Sequence, residues 1–391
     1  MAIDFPASPT PGQVFQGYYW DDDKNAWRSQ SSSGGSVITS ATIPTGANAG
    51  DLWFNTVDGT MYVYYNDGIT AQWVEIQANV DNYKTPSQNY IINGGFDIWQ
   101  RGTSVAGGYN YTADRFVVDD SVTVSRSTDV PAQSTMAYSI LVPSTTGAGN
   151  LRQAIELPGV GVEGPFKSGS TWTFSVWAKS SVPRDVVFSA VFRSGIVGSA
   201  IKVVVSSATM GTTSSAWQRF STTFTIPSGS IAGANTLAIT FSGTSGTSNS
   251  FYYTGVQLEE GTIATPFRRN QPNIQAELAA CQRLCYVKNG STTDAMWGWG
   301  RWEGQNFYCV LQHPVQMRTT PSFSLSNVSG LQVVDPTVAW YNVQGINSVH
   351  KNGTYASDVL FNIAGASVSN KTFGILAVNS GSPQLIVSSE L

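Results

Sequence analysis

The sequence is poor in charge. Asp, Glu, Lys and Arg together make up 12% of its 391 residues, about half the share of an average soluble protein. The net charge is -4 and the basic residues form no cluster, so the positive surface that binds nucleic acids and anionic membranes is missing. We therefore expect neither nucleic acid as a partner nor insertion into a membrane.

Histidine is nearly absent. His313 and His350 are the only two in the sequence, and neither lies at the spacing from cysteine or histidine that a zinc site requires. The sequence also lacks the Gly-x-Ser-x-Gly turn of serine hydrolases and the P-loop of nucleotide-binding enzymes. These absences argue against metal-dependent and Cys–His catalysis, and we expect no cofactor and no metal.

Long apolar runs and a secretion signal are missing too. No run approaches the roughly 18 residues that span a membrane, and the first residues carry neither the basic nor the apolar region of a signal peptide. We expect synthesis and retention in a cytoplasm. The 3 cysteines are too few for a disulfide framework, so we expect reduced and buried thiols.

Neutral polar and aromatic residues take the place of charge. Ser, Thr, Gly and Asn are abundant and aromatic residues reach 12%, a composition typical of β-rich extracellular or virion proteins. Between about 90 and 270, roughly ten short segments alternate apolar and polar residues and are separated by turns, which predicts a β-sandwich. Val186, Phe188, Ala190 and Phe192, for example, share one face of a predicted strand. The predicted fold class is all-β.

Residues 1–80 contain a degenerate repeat of two short aromatic units. Turn signals predict strands at Leu52–Asn55 and Met61–Tyr65 in the second unit. Units this short bury little area alone, so we expect them to pack on each other or on another subunit. The aromatic residues of the two units are Phe15, Tyr19, Trp20, Trp27, Trp53, Tyr64 and Trp73.

The sequence predicts one convincing helix, over residues 273–286. Asn273 is a favourable N-cap, and good helix formers follow it. Steps of four, three and four place four residues on one stripe of this helix: Ile274, Leu278, Cys281 and Cys285. A short helix is marginal alone, so the stripe must be buried. Two partners remain open, the preceding β-domain of the same chain or the same stripe on symmetry-related copies, as in a coiled-coil seam.

Paired carboxylates are the remaining route to catalysis, because a glycan-cleaving enzyme needs only two, about 5 to 9.5 Å apart. Three pairs are close in sequence: Asp97 with Asp114, Asp119 with Asp120, and Glu259 with Glu260. The first pair lies near Arg101 and Arg115 and is predicted to form ion pairs with them, and the third pair ends a predicted strand. We therefore favour structural roles and expect no enzymatic activity.

Aromatic residues are the strongest sign of a binding function. An indole or phenol ring packs against the C–H face of a sugar while neighbouring amides and carboxylates bind its hydroxyls, so such a site needs no net charge. Two groups are candidates: Trp297, Trp299 and Trp302, and Trp99, Tyr109 and Tyr111. The spacing of the first group allows one ring to be exposed and its neighbours buried. Packing in a core or at a subunit contact is the alternative for each ring.

Motifs near the start of the predicted sandwich, at its end and in the helix that follows carry a family resemblance. The motifs are Asn93–Gly102 with Ala113–Phe116, then Gly255–Gly261 with Ala264–Phe267, and then Glu277-Leu278 with Cys281–Arg283. They resemble motifs of tailed-bacteriophage virion proteins, especially tail-fibre and related appendage proteins. In that family the motifs belong to a jelly-roll sandwich similar to carbohydrate-binding modules. Here Leu284-Cys285-Tyr286 replaces the paired aromatic residues that usually follow the helix.

The resemblance implies an organisation into a virion-attachment region at 1–80, a jelly-roll sandwich at 85–270, a short helix at 273–286 and a C-terminal β-domain, or head, at 287–391. The aromatic residues of the first region would attach the protein to the particle, and the helix stripe would form the seam of a homotrimer. The implied partners are other virion proteins and host-surface glycan. The implied location is the virion, after synthesis in the cytoplasm of the bacterial host. A capsid decoration protein and a glycan-depolymerising tailspike stay open as alternatives.

Overall fold

A computed structural model describes residues 6–15, 18–29, 37–57, 60–66, 70–76, 88–119, 121–132, 134–143, 149–195, 199–229, 231–244, 250–290, 295–328, 330–365, 372–379 and 381–390. Within these residues the fold is almost entirely β, with one short helix. The predicted all-β class is thereby confirmed. The chain divides into two compact units, Met1–Thr85 and Pro86–Leu391.

The first unit contains two small sheets. Their strands are β1 (Val14–Phe15), β2 (Tyr18–Asp21), β3 (Ala26–Ser29), β4 (Val37–Ser40), β5 (Leu52–Asn55), β6 (Met61–Asn66) and β7 (Ala71–Glu75). The first sheet has the order β1-β2-β3 and is antiparallel; the second has the order β4-β5-β6-β7, with β4 and β5 parallel. Both strands predicted in the second repeat are present, and β6 is one residue longer than predicted. The two turn signals of this repeat, Asp58-Gly59 and Asp67-Gly68, lie outside the described residues.

Aromatic pairs hold each of these small sheets together. Trp20 on β2 lies opposite Trp27 on β3, with ring centroids 5.7 Å apart in an edge-to-face arrangement. Tyr64 on β6 lies opposite Trp73 on β7 in the same arrangement, at 5.2 Å. Trp53 completes the second cluster, 5.7 Å from Trp73. Such pairs contribute about 0.5–1.5 kcal/mol beyond the burial of their area. The aromatic residues of each repeat therefore stabilise the small sheet to which they belong.

The second unit begins with a sandwich of two six-stranded antiparallel sheets, with the orders β16-β15-β18-β13-β10-β9 and β17-β14-β19-β12-β11-β8. The strands are β8 (Ser104–Ala106), β9 (Asn110–Tyr111), β10 (Val117–Val118), β11 (Thr123–Ser127), β12 (Ser139–Val142), β13 (Leu151–Glu156), β14 (Thr171–Ser180), β15 (Asp185–Arg193), β16 (Ile201–Thr212), β17 (Gln218–Thr225), β18 (Thr236–Gly243) and β19 (Phe251–Glu260). Phe174 on β14 stacks on Phe188 on β15 at 4.6 Å, so aromatic rings join the two sheets. The face predicted for β15 is buried in this core.

A segment after β19, residues 261–268, crosses the outer face of the second sheet, and we call it the strap. Glu259 on β19 accepts hydrogen bonds from the backbone N–H of Thr265, at 2.9 Å, and from its hydroxyl, at 2.7 Å. Gln257 accepts one from the backbone N–H of Arg268 at 2.8 Å. Arg219 on β17 donates to the carbonyl oxygens of Ala264 and Thr265. The polar residues of the Gly255–Gly261 motif therefore hold the strap against the sheet.

The first motif of the sandwich packs against the same strand. The backbone N–H of Val256 donates to the carbonyl oxygen of Gly94 at 2.9 Å, and the ring of Phe267 lies over Gly94 and Gly95. Asn93 donates to the carbonyl oxygens of Ile98 and Asp114. The motifs at the two ends of the sandwich sequence thus meet at one place in the structure.

The helix α1 (Ile274–Gln282) follows the strap. Asn273 is its N-cap, as predicted, and accepts a hydrogen bond from the backbone N–H of Ala276 at 2.9 Å. The prediction that the helix reaches residue 286 is wrong, because Cys285 begins a strand that pairs with Ser388 and its neighbours. This strand pairing prevails over the helix-forming tendency of the sequence.

The C-terminal part of the second unit forms a closed barrel and a small sheet. Its strands are β20 (Cys285–Asn289), β21 (Ala295–Glu303), β22 (Asn306–Gln312), β23 (Ser322–Asn327), β24 (Leu331–Val334), β25 (Trp340–Asn352), β26 (Ala356–Ile363), β27 (Phe373–Val378) and β28 (Gln384–Ser388). The barrel has the order β21-β22-β26-β25-β24-β27, and the sheet has the order β20-β28-β23. Trp302, Phe307 and Phe361 lie in the barrel core.

Gly94→Ala is expected to lower the free energy of unfolding by about 1–3 kcal/mol, because the added Cβ would lie 2.1 Å from the carbonyl oxygen of Val256. Urea unfolding followed by tryptophan fluorescence measures this loss. Gly345→Ala is the matched control, since a Cβ there meets nothing within 4 Å, and its effect should stay within about 0.5 kcal/mol. Equal losses of unfolding free energy in the two variants would contradict a structural need for the close contact between the backbones of Gly94 and Val256.

Candidate functional site

The tryptophans of β21 divide between core and surface. Trp302 points into the barrel and is 0% exposed, whereas Trp299 lies on the outer face and is 54% exposed. The register of β21 against β27 shifts between Met296 and Gly298, so Trp297 is the extra residue of a β-bulge. Its ring is buried. One of the three predicted rings is therefore available to a ligand, and the other two are core residues.

Trp299 borders a surface cleft of about 490 Å³. Helix α1 contributes its last residue, Gln282; β20 contributes Lys288, and β22 contributes Gln312. The turn after β22 contributes His313. We call this site the Trp299 cleft, and its lining residues are Gln282, Tyr286, Lys288, Trp297, Gly298, Trp299, Val310, Gln312, His313 and Pro314.

His313 forms a fixed wall of this cleft. Its Nδ1 lies 2.8 Å from the hydroxyl of Tyr286, and its Nε2 lies 3.1 Å from the carbonyl oxygen of Gly353 and 3.1 Å from the hydroxyl of Ser357. A carbonyl oxygen only accepts, so Nε2 carries the proton and Nδ1 accepts from Tyr286. Burial lowers the pKa of His313. The imidazole is thus neutral near pH 7 and engaged at both nitrogens, so it supports the cleft.

The remaining polar groups of the cleft suit hydroxyl-rich ligands. Gln282 and Gln312 each offer an amide that both donates and accepts hydrogen bonds. Lys288 adds an ammonium donor, and burial lowers its pKa. An exposed indole beside such groups matches the way sugars are bound, by ring stacking on C–H faces and hydrogen bonds to hydroxyls.

The second predicted aromatic group is split up by the fold. Trp99 is buried, and its Nε1 donates to the carbonyl oxygen of Phe96 at 2.7 Å. Arg101 lies 5.0 Å above the ring of Tyr111, and burial raises the pKa of the Tyr111 hydroxyl. Tyr109 is 61% exposed. These three residues therefore form no common platform.

The aromatic residues predicted for attachment all lie in the first unit. Trp53 is buried, and Trp20, Trp27, Tyr64 and Trp73 are half-buried. The remaining two are Phe15, whose ring lies 6.2 Å from that of Trp27, and the half-buried Tyr19.

The predicted ion pair between Asp97 and Arg101 is wrong. Asp97 pairs with Arg269 at 2.8 Å rather than with Arg101. Asp114 is buried and accepts hydrogen bonds from the backbone and side-chain amides of Gln100. Asp97 pairs with a distant residue because the fold places Arg269, the residue directly after the strap, beside it.

The other candidate carboxylates also have structural partners. Asp119 forms an ion pair with Arg152, and Glu259 holds Thr265 of the strap. Glu260 lies at the exposed end of β19, and Asp120 lies outside the described residues.

No group of three His, Cys, Asp or Glu side chains in the described part of the chain could hold a metal ion. Likewise, no helix found there has both the length and the apolar character needed to cross a bilayer.

Arg101 and Arg115 instead bind Glu390, and we call these three residues the Glu390 cluster. Glu390 forms an ion pair with each arginine, and the side chain of Arg115 is only 2% exposed. Burial by itself would lower the pKa of Arg115, and the charge of Glu390 raises it above its ordinary value. This buried cluster joins the sandwich to the segment after β28.

The predicted helix stripe is only partly at the surface. Cys281 and Cys285 are buried within the chain, and the second of them lies on β20 rather than on the helix. Ile274 is 41% exposed and, with the half-buried Leu278, lines a groove of about 340 Å³ beside Trp99. Of the four predicted seam residues, only Ile274 and Leu278 are therefore accessible to a second copy. Helix α1 buries two residues, Cys281 and Glu277. Glu277 was not part of the predicted stripe.

The prediction of reduced, buried cysteines is confirmed. Cys281, Cys285 and Cys309 are free and buried. Burial raises the pKa of Cys285 to about 12 and also raises that of Cys281 and Cys309. The thiols therefore stay protonated and behave as small apolar residues.

No protein-family profile matches the chain, and no curated protein matches it. Among solved structures it is similar to the enzymatically active domain of bacteriophage CBA120 tailspike protein 4, with a TM-score of 0.29 and 18% identity over 44% of this chain and 21% of that one. A putative sugar-binding protein from Bacteroides thetaiotaomicron matches with a TM-score of 0.32 and 11% identity, over 44% of this chain and 100% of that one. TmCBM61, solved with β-1,4-galactotriose, matches with a TM-score of 0.29 and 15% identity, over 45% and 100%. The chain spans about a fifth of the tailspike structure, and scores this low carry no inference about function.

Four residues of these sites were not predicted to be site residues: Gln282, Lys288, Gln312 and Glu390. Lys288 is the only charged residue of β20, and this was the one local signal available. Gln282 belongs to the Cys281–Arg283 motif, but nothing local marks it, Gln312 or Glu390 as a site residue, and the fold brings them to their sites across large sequence separations.

Glu390→Gln is expected to lower the free energy of unfolding by about 3–5 kcal/mol, because it leaves the buried Arg115 without its ion-pair partner and also removes the ion pair of Arg101. Glu156→Gln is the matched control. Glu156 also pairs with two arginines, Arg283 and Arg318, but its side chain is 34% exposed, so the loss should be under about 1 kcal/mol. Urea unfolding of both variants gives the comparison, and similar losses would contradict the special role of the buried cluster.

Proposed function

We propose that this protein is a non-catalytic, glycan-binding appendage protein of a tailed-bacteriophage particle. The observation that carries the glycan part is the Trp299 cleft. An exposed indole there lies beside two neutral amides, Gln282 and Gln312, and beside an imidazole that is fixed at both nitrogens. The site offers contacts for a sugar ring and its hydroxyls, without a poised acid or base.

The phage part of the proposal rests on the sequence motifs and on what their residues do in the fold. Gln257, Glu259 and Thr265 build the contacts between β19 and the strap. Gly94 provides the close approach to β19. The residues that carry the resemblance to virion appendage proteins are thus the ones that organise this sandwich, which supports a shared architecture.

Attachment and assembly complete the proposed function. The first unit, with its two aromatic sheets, attaches the protein to the particle. Ile274 and Leu278 form the contact between copies of a homotrimer, because they line an apolar groove that the chain itself leaves open. The protein is made in the cytoplasm of the bacterial host and is carried in the virion.

Trp299→Ala is expected to weaken binding to bacterial surface polysaccharide at least tenfold, because it removes the exposed stacking surface. Binding to a panel of immobilised host polysaccharides measures the effect. Tyr109→Ala is the matched control, since Tyr109 is also exposed but lies in the sandwich, and it should bind like the wild type. Unchanged binding by the Trp299 variant would contradict the proposal that the Trp299 cleft binds glycan.

Leu278→Asp is expected to convert a trimer into a folded monomer, because it introduces a charge into the proposed contact between copies. Light-scattering chromatography should give about three times 41.9 kDa for the wild type and about one third of that for the variant. Val160→Asp, at a residue that is exposed elsewhere in the sandwich, should remain trimeric. A monomeric wild type would contradict the trimer.

A further inference from the structure

Lys288 is a partly buried cation in the wall of the Trp299 cleft. No ion pair and no side-chain hydrogen bond of Lys288 occurs among the described residues, although its side chain is partly buried in the wall of the Trp299 cleft. Cations elsewhere in this unit that pair with carboxylates are Arg101, Arg115, Arg152, Lys179, Arg269, Arg283 and Arg318.

The described residues that line the cleft supply no negative charge to Lys288. Apart from Lys288 itself they are neutral, and none of them is Asp or Glu. Burial lowers the pKa of Lys288, and the opposing influence comes from the Cys309 thiol rather than from a carboxylate. That thiol is itself buried and protonated, so no charge among the described residues compensates the desolvation of the ammonium. A partly buried, unpaired charge of this kind destabilises the free protein.

His313 does not add a second positive charge to the cleft. Its two ring nitrogens are occupied by Tyr286, Gly353 and Ser357, and burial lowers its pKa. The cleft therefore presents one cation, one exposed indole and two amides.

We propose that the Trp299 cleft selects sugars that carry a single negative charge, either the carboxylate of a uronic acid or a sugar phosphodiester, and that Lys288 binds this charge. The inference rests on the glycan-binding function proposed above and names the class of glycan. A ligand anion supplies the missing partner of Lys288, while Trp299 stacks on the sugar ring and the amides of Gln282 and Gln312 bind hydroxyls. The charge-assisted contact is stronger than a neutral one, since it forms in a partly desolvated site.

The experiment compares polysaccharides before and after removal of their charge. A panel of immobilised bacterial surface polysaccharides is presented untreated, after reduction of the carboxyl groups, and after removal of phosphate with hydrofluoric acid. Wild-type protein is compared with Lys288→Met, which keeps most of the aliphatic stem, with Lys288→Arg, which keeps the charge, and with Trp299→Ala. Lys351→Met, at an exposed lysine of β25, is the matched control for the loss of one positive charge.

We expect wild type and Lys288→Arg to bind an untreated acidic polysaccharide at least tenfold more tightly than its uncharged form. Lys288→Met should lose this preference while retaining the residual binding to the uncharged form, and Lys351→Met should behave like wild type. Sensitivity to carboxyl reduction identifies a uronate, and sensitivity to hydrofluoric acid identifies a phosphodiester.

The outcomes separate this inference from the proposed function. Equal binding to treated and untreated polysaccharide that still depends on Trp299 would overturn the charge selectivity and leave the glycan-binding function standing. An equal loss in Lys351→Met would also overturn it, because the effect would then reflect net charge. Absence of binding to every form of every polysaccharide would overturn both.

Discussion

The buried pair between Arg115 and Glu390 is the contact on which the arrangement of the second unit depends. A guanidinium and a carboxylate removed from water are stable only together, so the segment after β28 has to return to the start of the sandwich. Strand β28 lies between β20 and β23 in its sheet, and Lys288 on β20 lines the Trp299 cleft. The position of one wall of the cleft is therefore fixed, through two neighbouring strands, by a charge contact formed outside it.

Hydrogen bonds to backbone groups perform the same task where the strap, the first motif and the helix meet. Glu259 and Gln257 hold the strap, Gly94 lets two backbones approach closely, and Glu277 accepts from the backbone N–H groups of Asn93 and Gln271. Gln257, Glu259 and Glu277 are polar and buried, and each accepts hydrogen bonds from main-chain donors that a crossing segment would otherwise leave unpaired. These residues belong to the motifs that carry the family resemblance, and their role in the fold is to hold the crossing segments in place.

Local patterns predicted much of the fold, and long-range pairing decided what they missed. Alternation of apolar and polar residues identified the face of β15, and Asn273 was identified as an N-cap, because both depend on neighbours in sequence. The partners of Asp97 and Arg115 lie 172 and 275 residues away, so spacing carried no information about them. The helix ended early for the same reason, since Cys285 pairs with a strand far along the chain. In the candidate site, the spacing of Trp297, Trp299 and Trp302 predicted that one ring could be exposed without indicating which, and Lys288 and the two glutamines are brought to the site by the fold.

The presence of a single exposed ring in the Trp299 cleft limits how strongly one copy can hold a polymer. A site that grips few sugar units leaves little binding energy after the loss of translational freedom. The proposed trimer would carry three such clefts, and binding of one to a repetitive surface would raise the effective concentration for the next. Adhesion would then be firm for the particle and brief for each contact, which allows a particle to move across a polysaccharide layer without detaching from it.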